Sequence, residues 1–131
     1  VHAILVIRTD KPEAEIGLFD GYTQLAYNTW LAHRELAETI HIKIGELLKS
    51  QSRTLHDLEG IVVFKGPGSF TGLRIGLTVA NALAYSLSVP IVATEDPAWL
   101  ENGIARLQQG EDEKITIPEY GALPNITPQK K

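Results

Sequence analysis

The stretch KGPGSFTGLRIG, residues 65–76, sets Gly66, Pro67, Gly68, Ser69, Phe70, Thr71, Gly72, Arg74 and Gly76 between two strongly apolar runs. Two chemistries suit such a loop. If a helix starts there, the backbone N–H groups of residues 69–73 are free to bind an anion, helped by Ser69, Thr71 and the Arg74 guanidinium. The same hydroxyls can instead cap the helix and leave nothing for a ligand. A phosphate loop of the Walker type ends in Gly-Lys-Ser/Thr, because the lysine reaches the outer phosphates and the hydroxyl holds magnesium, and that ending is missing here. The three-glycine dinucleotide fingerprint is not met either. Gly72, Gly76, Ala80 and Ala84 recur every four residues, which puts a row of small side chains along one helix face and invites close approach of another backbone. The residues therefore favour capping and packing, with Arg74 either lying on the rim or meeting an anion or a partner carboxylate.

Other candidate chemistry is sparse. His33 and His41 stand eight apart and are not the HExxH pair of a zinc hydrolase, so no metal site is expected, and both histidines read as solvent-facing or capping. Ser69 lacks a GxSxG nucleophile elbow. Asp10, Glu13 and Glu15 read as a solvated acidic stretch, and Trp30 and Trp99 as core or interface aromatics. The chain has no cysteine, which removes disulfides, thiolate metal ligands and thiol nucleophiles together. No complete catalytic set emerges.

What surrounds these residues is an ordinary globular chain. Its 131 residues are 44% hydrophobic and 21% charged, enough for one core. A net charge of −4 argues against a protein that grips nucleic acid unaided, since that affinity rests on many Lys and Arg contacts to phosphates. Residues 75–94 carry no formal charge but contain Pro90 and change from small-residue helix to β-branched strand, so a membrane span is not expected. No basic segment precedes an apolar core at the start, so no signal peptide is expected and a cytoplasmic location fits. Methionine is absent altogether, consistent with numbering that begins after a removed initiator.

The elements follow from periodicity. Residues 2–9 are a continuous apolar run suited to a strand buried on both faces, followed by turn chemistry around Pro12. Residues 14–20 and 22–31 form a hairpin around Asp20-Gly21. Residues 33–49 give an amphipathic helix with Leu36, Ile40, Ile44 and Leu47 on one face. Then come a strand at 60–66, a helix at 72–87, a strand at 89–94, and a helix from Pro97 with Asp96 as its N-cap, ended by Gly110. The order is βββαβαβα in one lobe of residues 1–110, and residues 111–131 read as a mostly irregular tail.

Taken together, GIVVFKGPGSFTGLRIGLTVANALAYSLSVPIVAT, ILVIRT at the start and HRELAETIHIKIGELL between them resemble the N-terminal half of the TsaB (YeaZ) family, over residues 4–94. The resemblance implies an α/β lobe of ribonuclease H-like topology, of the actin-like ATPase (ASKHA) kind, with a central mixed sheet flanked by helices. It implies a noncatalytic companion of TsaD in tRNA threonylcarbamoyladenosine synthesis, with TsaE as a further ATPase partner and tRNA reached only indirectly. Pairing, as a homodimer or with TsaD, would use the first two helices, making Leu36, Ile40, Ile44, Leu47, Gly72, Gly76, Ala80 and Ala84 the candidate interface. ATP or ADP would bind only in a complex. Two alternatives remain, a small nucleotide-binding sensor using residues 69–74 and, more weakly, a peptidase-like protein. The sequence departs from the family at Arg8, where an acid usually ends the first strand and helps hold metal and nucleotide. It also lacks the usual second lobe, so it reads as a short, one-lobed member whose tail could dock on a partner.

Overall fold

In a computed structural model of the chain, residues 1–68 and 70–117 are described, with Phe70 described by its backbone alone. The apolar N-terminal run becomes β1 (Ala3–Arg8), the middle strand of a five-stranded sheet. Its residues Ile4, Leu5, Val6 and Ile7 have no exposed surface, as a continuous apolar run requires. β2 (Glu13–Asp20) and β3 (Thr23–Leu31) follow as an antiparallel meander. The expected hairpin turn is there, with Gly21 in the left-handed region at φ +58°. A 3-10 turn (His33–Glu35) leads into α1 (Leu36–Ser50), then β4 (Gly60–Phe64), α2 (Phe70–Leu87), β5 (Ile91–Thr94) and α3 (Trp99–Gln108). β4 pairs with β1, and β5 with β4, both in parallel, giving the strand order β3-β2-β1-β4-β5.

Alternation along the strands divides the helices between two faces. Thr9 meets Gly76 of α2, whereas Val62, in register with Val6, meets Gly103 of α3. α2 therefore covers the Leu5, Ile7 and Thr9 side, with α1 beside it over β2 and β3. α3 covers β4 and β5 on the other side. Leu36, Ile40, Ile44, Leu47 and Leu48 of α1 are buried against the sheet, and each such side chain contributes about 1.5–3 kcal/mol on leaving water.

One local expectation is corrected. The last helix starts at Trp99, after Ala98 in the left-handed region at φ 59°, and Asp96 does not cap it because its carboxylate turns to Arg8. Residues 111–117 contain no helix or strand, but they are held in place. The Glu113 N–H donates to the Ile91 carbonyl, while the Ile91 and Ala93 N–H groups donate to the side chains of Asp112 and Glu113. The remainder of the expected tail, 118–131, lies outside the described residues.

Candidate functional site at the strand ends and the helix pair

Arg8, the last residue of β1, lies on the α3 side of the sheet with its guanidinium 3.8 Å from the centre of the Phe64 ring and 5.7 Å from that of Trp99. Its Nε and Nη2 donate to the two Asp10 oxygens at 2.8 and 3.2 Å. Nη1 and Nη2 donate to the two Asp96 oxygens, both at 3.0 Å. A planar fork can satisfy two carboxylates in this way, and the aromatic face below it adds a cation–π contact. Burial alone would lower the pKa of this guanidinium, but the hydrogen bonds it donates to Asp10 and Asp96, with their negative charges, outweigh that and raise it. Arg8 and Asp10, two residues apart, thus form a salt bridge. Asp96 is the partner the sequence reading missed, since 88 residues separate it from Arg8 and no periodicity links them.

The expected solvated acidic stretch needs correction as well. Asp10 is spent on Arg8 with only 9% of its side chain exposed, and Glu15 accepts the Tyr27 hydroxyl hydrogen at 2.6 Å, so of the three only Glu13 is exposed. Burial, together with the Glu15 contact, pushes the Tyr27 pKa upward. Trp99 is a core aromatic, packed edge-on against Phe64 with centroids 6.0 Å apart. His33 and His41 are exposed.

The glycine-rich motif sits directly over this strand end. Gly66 adopts φ +115°, open to glycine. A Cβ on Gly68 would lie 2.5 Å from the Asp10 Cβ, and one on Gly76 would run into the Thr9 hydroxyl. That hydroxyl donates to the Gly72 carbonyl at 2.7 Å, pinning the first turn of α2 to the end of β1. The motif thus works as a close-packing device between residues 8–10 and α2. Thr71 and Arg74 are exposed on the first turns of α2 and line the surface between α1 and α2, where a ligand or partner can reach them. Ser69 and the Phe70 side chain lie outside the described residues.

The candidate helix interface is corrected by burial. Leu36, Ile40, Ile44, Leu47, Gly76, Ala80 and Ala84 are all buried against this chain's own sheet, and Gly72 is half-buried beside Thr9. Four-residue spacing identifies a helix face but not what the face meets. The exposed residues of the helix pair are others, among them Ala37, His41, Thr71, Arg74 and Thr78 along the groove between the helices, Gly45 and Ala82 further along, and Glu38, Ile42, Glu46, Lys49, Tyr85 and Ser86 besides. Ala37, Gly45, Thr71, Thr78 and Ala82 are short, and a Cβ on Gly45 would meet nothing within 4 Å among the described residues.

A metal of the kind the fold family uses does not fit at Arg8. Both nearby carboxylates already face a guanidinium, and a divalent cation would be held against a fixed positive charge.

Residues 30–108 match the family model described as TsaD: tRNA N6-adenosine threonylcarbamoyltransferase. The tRNA threonylcarbamoyladenosine biosynthesis protein TsaB of Escherichia coli (strain K12) is 29% identical over 118 residues, covering 86% of this chain and 51% of that protein. The TsaB of Bacillus subtilis (strain 168) is 41% identical over 91 residues, covering 69% of this chain and 39% of that protein. This chain thus spans about half or less of the length of these relatives. Among solved structures, YeaZ from Pseudomonas aeruginosa gives a TM-score of 0.69 at 27% identity, covering 84% of this chain and 51% of its own. T. thermophilus RuvC, solved in complex with a Holliday junction substrate, gives 0.53 at 14% identity, a likeness of fold alone. The mixed five-stranded sheet with its flanking helices is a ribonuclease H-like α/β lobe.

Proposed function

Because this chain belongs to the TsaB (YeaZ) family, within the wider threonylcarbamoyltransferase family whose model it matches, we propose that it is a noncatalytic assembly subunit. It supports a TsaD-type enzyme in tRNA threonylcarbamoyladenosine synthesis. The observation that carries this reading is the outward side of the helix pair. Ala37, His41 and Gly45 recur every four residues on α1, beside Thr71, Thr78 and Ala82 on α2, so a second pair of helices can approach this surface closely. The occupants we assign to this surface are a second copy of the chain or a TsaD-type protein. A TsaE-type ATPase joins the assembly through the enzyme, tRNA is bound by the enzyme and not by this acidic chain, and nucleotide enters only in the complex. The setting is the cytoplasm, and among the described residues no helix is long and apolar enough to cross a membrane.

Arg8 supports a noncatalytic role by a positive feature, its two carboxylate partners, which commits the strand end to an ion pair. The test uses Gly45→Leu, a bulky change at an exposed position where a Cβ meets nothing within 4 Å among the described residues. The expected outcome is unchanged or slightly raised melting temperature, since leucine is the better helix former by up to about 1 kcal/mol, together with loss of pairing to the cognate TsaD-type protein by analytical ultracentrifugation. Wild-type protein that stays apart from well-folded TsaD-type protein at micromolar concentration would sink the reading. The nucleotide-sensor alternative rests on the exposed Thr71 and Arg74, and calorimetry with ATP and magnesium on the isolated chain decides it. Binding that disappears in Arg74→Ala would favour the sensor.

A further inference from the structure

Two cavities on the α1 and α2 side of the molecule adjoin along a shared wall, and together they make a groove. The larger, about 1060 Å³, lies between the turn after β1, the 3-10 turn and the start of α2. The smaller, about 370 Å³, continues between the two helices, and Thr71 and Ile75 line both. Lys11, His33 and Arg34 stand around the first part, and His41 and Arg74 around the second. Glu35 is the only carboxylate among the described lining residues. The chain as a whole has 12 basic and 16 acidic residues, yet here three of the four formal charges are positive. Lys11, Arg34 and Arg74 are exposed, and no ion pair among the described residues engages them. Between the cations the floor is apolar, with Ile75 half-buried and Leu31 67% exposed.

We propose that this groove receives an acidic amphipathic helix of the protein partner, its apolar stripe on Leu31 and Ile75 and its carboxylates facing Lys11, Arg34 and Arg74. The inference rests on the assembly reading and adds the chemistry of the partner surface. A protein is favoured over nucleic acid because three formal cations around an apolar floor, on a chain of charge −4, are too few to hold a phosphate backbone. Exposed cations of this kind act mainly on the rate of encounter and on register, and salt screens them over about 8–10 Å.

The experiment measures association and dissociation rates between the full chain and the cognate TsaD-type protein at low and high salt. Wild type should associate about 10-fold or more faster at low salt. Lys11→Glu, Arg34→Glu and Arg74→Glu should each slow low-salt association several-fold, and together they should remove most of the salt dependence, with unchanged circular dichroism and melting. Lys49→Glu, a reversal at the far end of α1, should leave the rate nearly unchanged. Pairing that persists with rates indifferent to salt and to the groove reversals would overturn the acidic-partner inference while leaving the assembly reading intact. So would a Lys49→Glu effect as large as those in the groove, which would show a general charge effect. A wild-type chain that fails to pair at all overturns both.

Discussion

At the scale of single residues, Arg8 ties together the turn after β1 and the loop before α3. Removing the guanidinium leaves Asp10 and Asp96 facing each other with no cation between them. Arg8→Met should therefore destabilise the fold by about 2–3 kcal/mol in urea unfolding, below the ~3–5 kcal/mol of a fully buried pair, because Asp96 keeps 56% of its side chain exposed. Arg8→Lys keeps the charge but not the fork, and should recover less than half of that loss. A variant as stable as wild type would show that the pair contributes nothing net. The importance of position 8 was legible in the sequence, because a cation stands there where an acid usually ends the first strand. The rest of the cluster was not, since Phe64, Asp96 and Trp99 reach Arg8 only once β1, β4 and the start of α3 lie side by side.

At the scale of elements, α2 is set by contact with the end of β1. Gly76→Ala would drive a methyl group into the Thr9 side chain and should cost about 1–3 kcal/mol. In a Thr9→Ala background the cost should shrink, and a double-mutant cycle measures that coupling. Equal costs in both backgrounds would mean that the glycine is needed for another reason. The elements themselves were readable, because β1 is a continuous apolar run, Asp20-Gly21 forces a turn and α1 shows a clean helical period. The direction of α2 was not. Its small residues face inward while Leu83 and Leu87 are half-buried, so apolar side chains lie nearly all round it and the period alone does not say which side meets the sheet. The start of α3 was misread for a related reason: the Asp96-Pro97 pair has the chemistry of a cap, but a distant cation has the stronger claim on that carboxylate.

At the scale of the whole molecule, the sheet is closed at β5 by side chains. The Ile91 and Ala93 N–H groups, which a further strand would otherwise take, end on Asp112 and Glu113, and Arg106 holds Glu113 at 2.7 Å. For Asp112, burial alone would raise the pKa, but the N–H groups of Ile91 and Lys114 outweigh it and hold the carboxyl below the usual range. A depressed folded-state pKa contributes stability above the ordinary carboxylate value and loses it as pH falls through the folded one. The Asp112 contact of this latch is therefore held throughout the neutral range and lost only in acid. Asp112→Ala with Glu113→Ala should speed amide hydrogen exchange at Ile91 and Ala93 far more than at Val92, whose N–H faces the opposite way along the strand. Uniform acceleration along β5 would point to global loosening instead.

The latch also bears on the order in which the chain is made. The parallel half of the sheet can assemble once residue 108 has left the ribosome, but Asp112 and Glu113 arrive later. During that interval the nascent chain carries an unguarded edge of buried-type residues, the setting in which growing polypeptides on one message stick to each other. A chain released at Gly110 should therefore yield insoluble product, and one released at Ile117 should not.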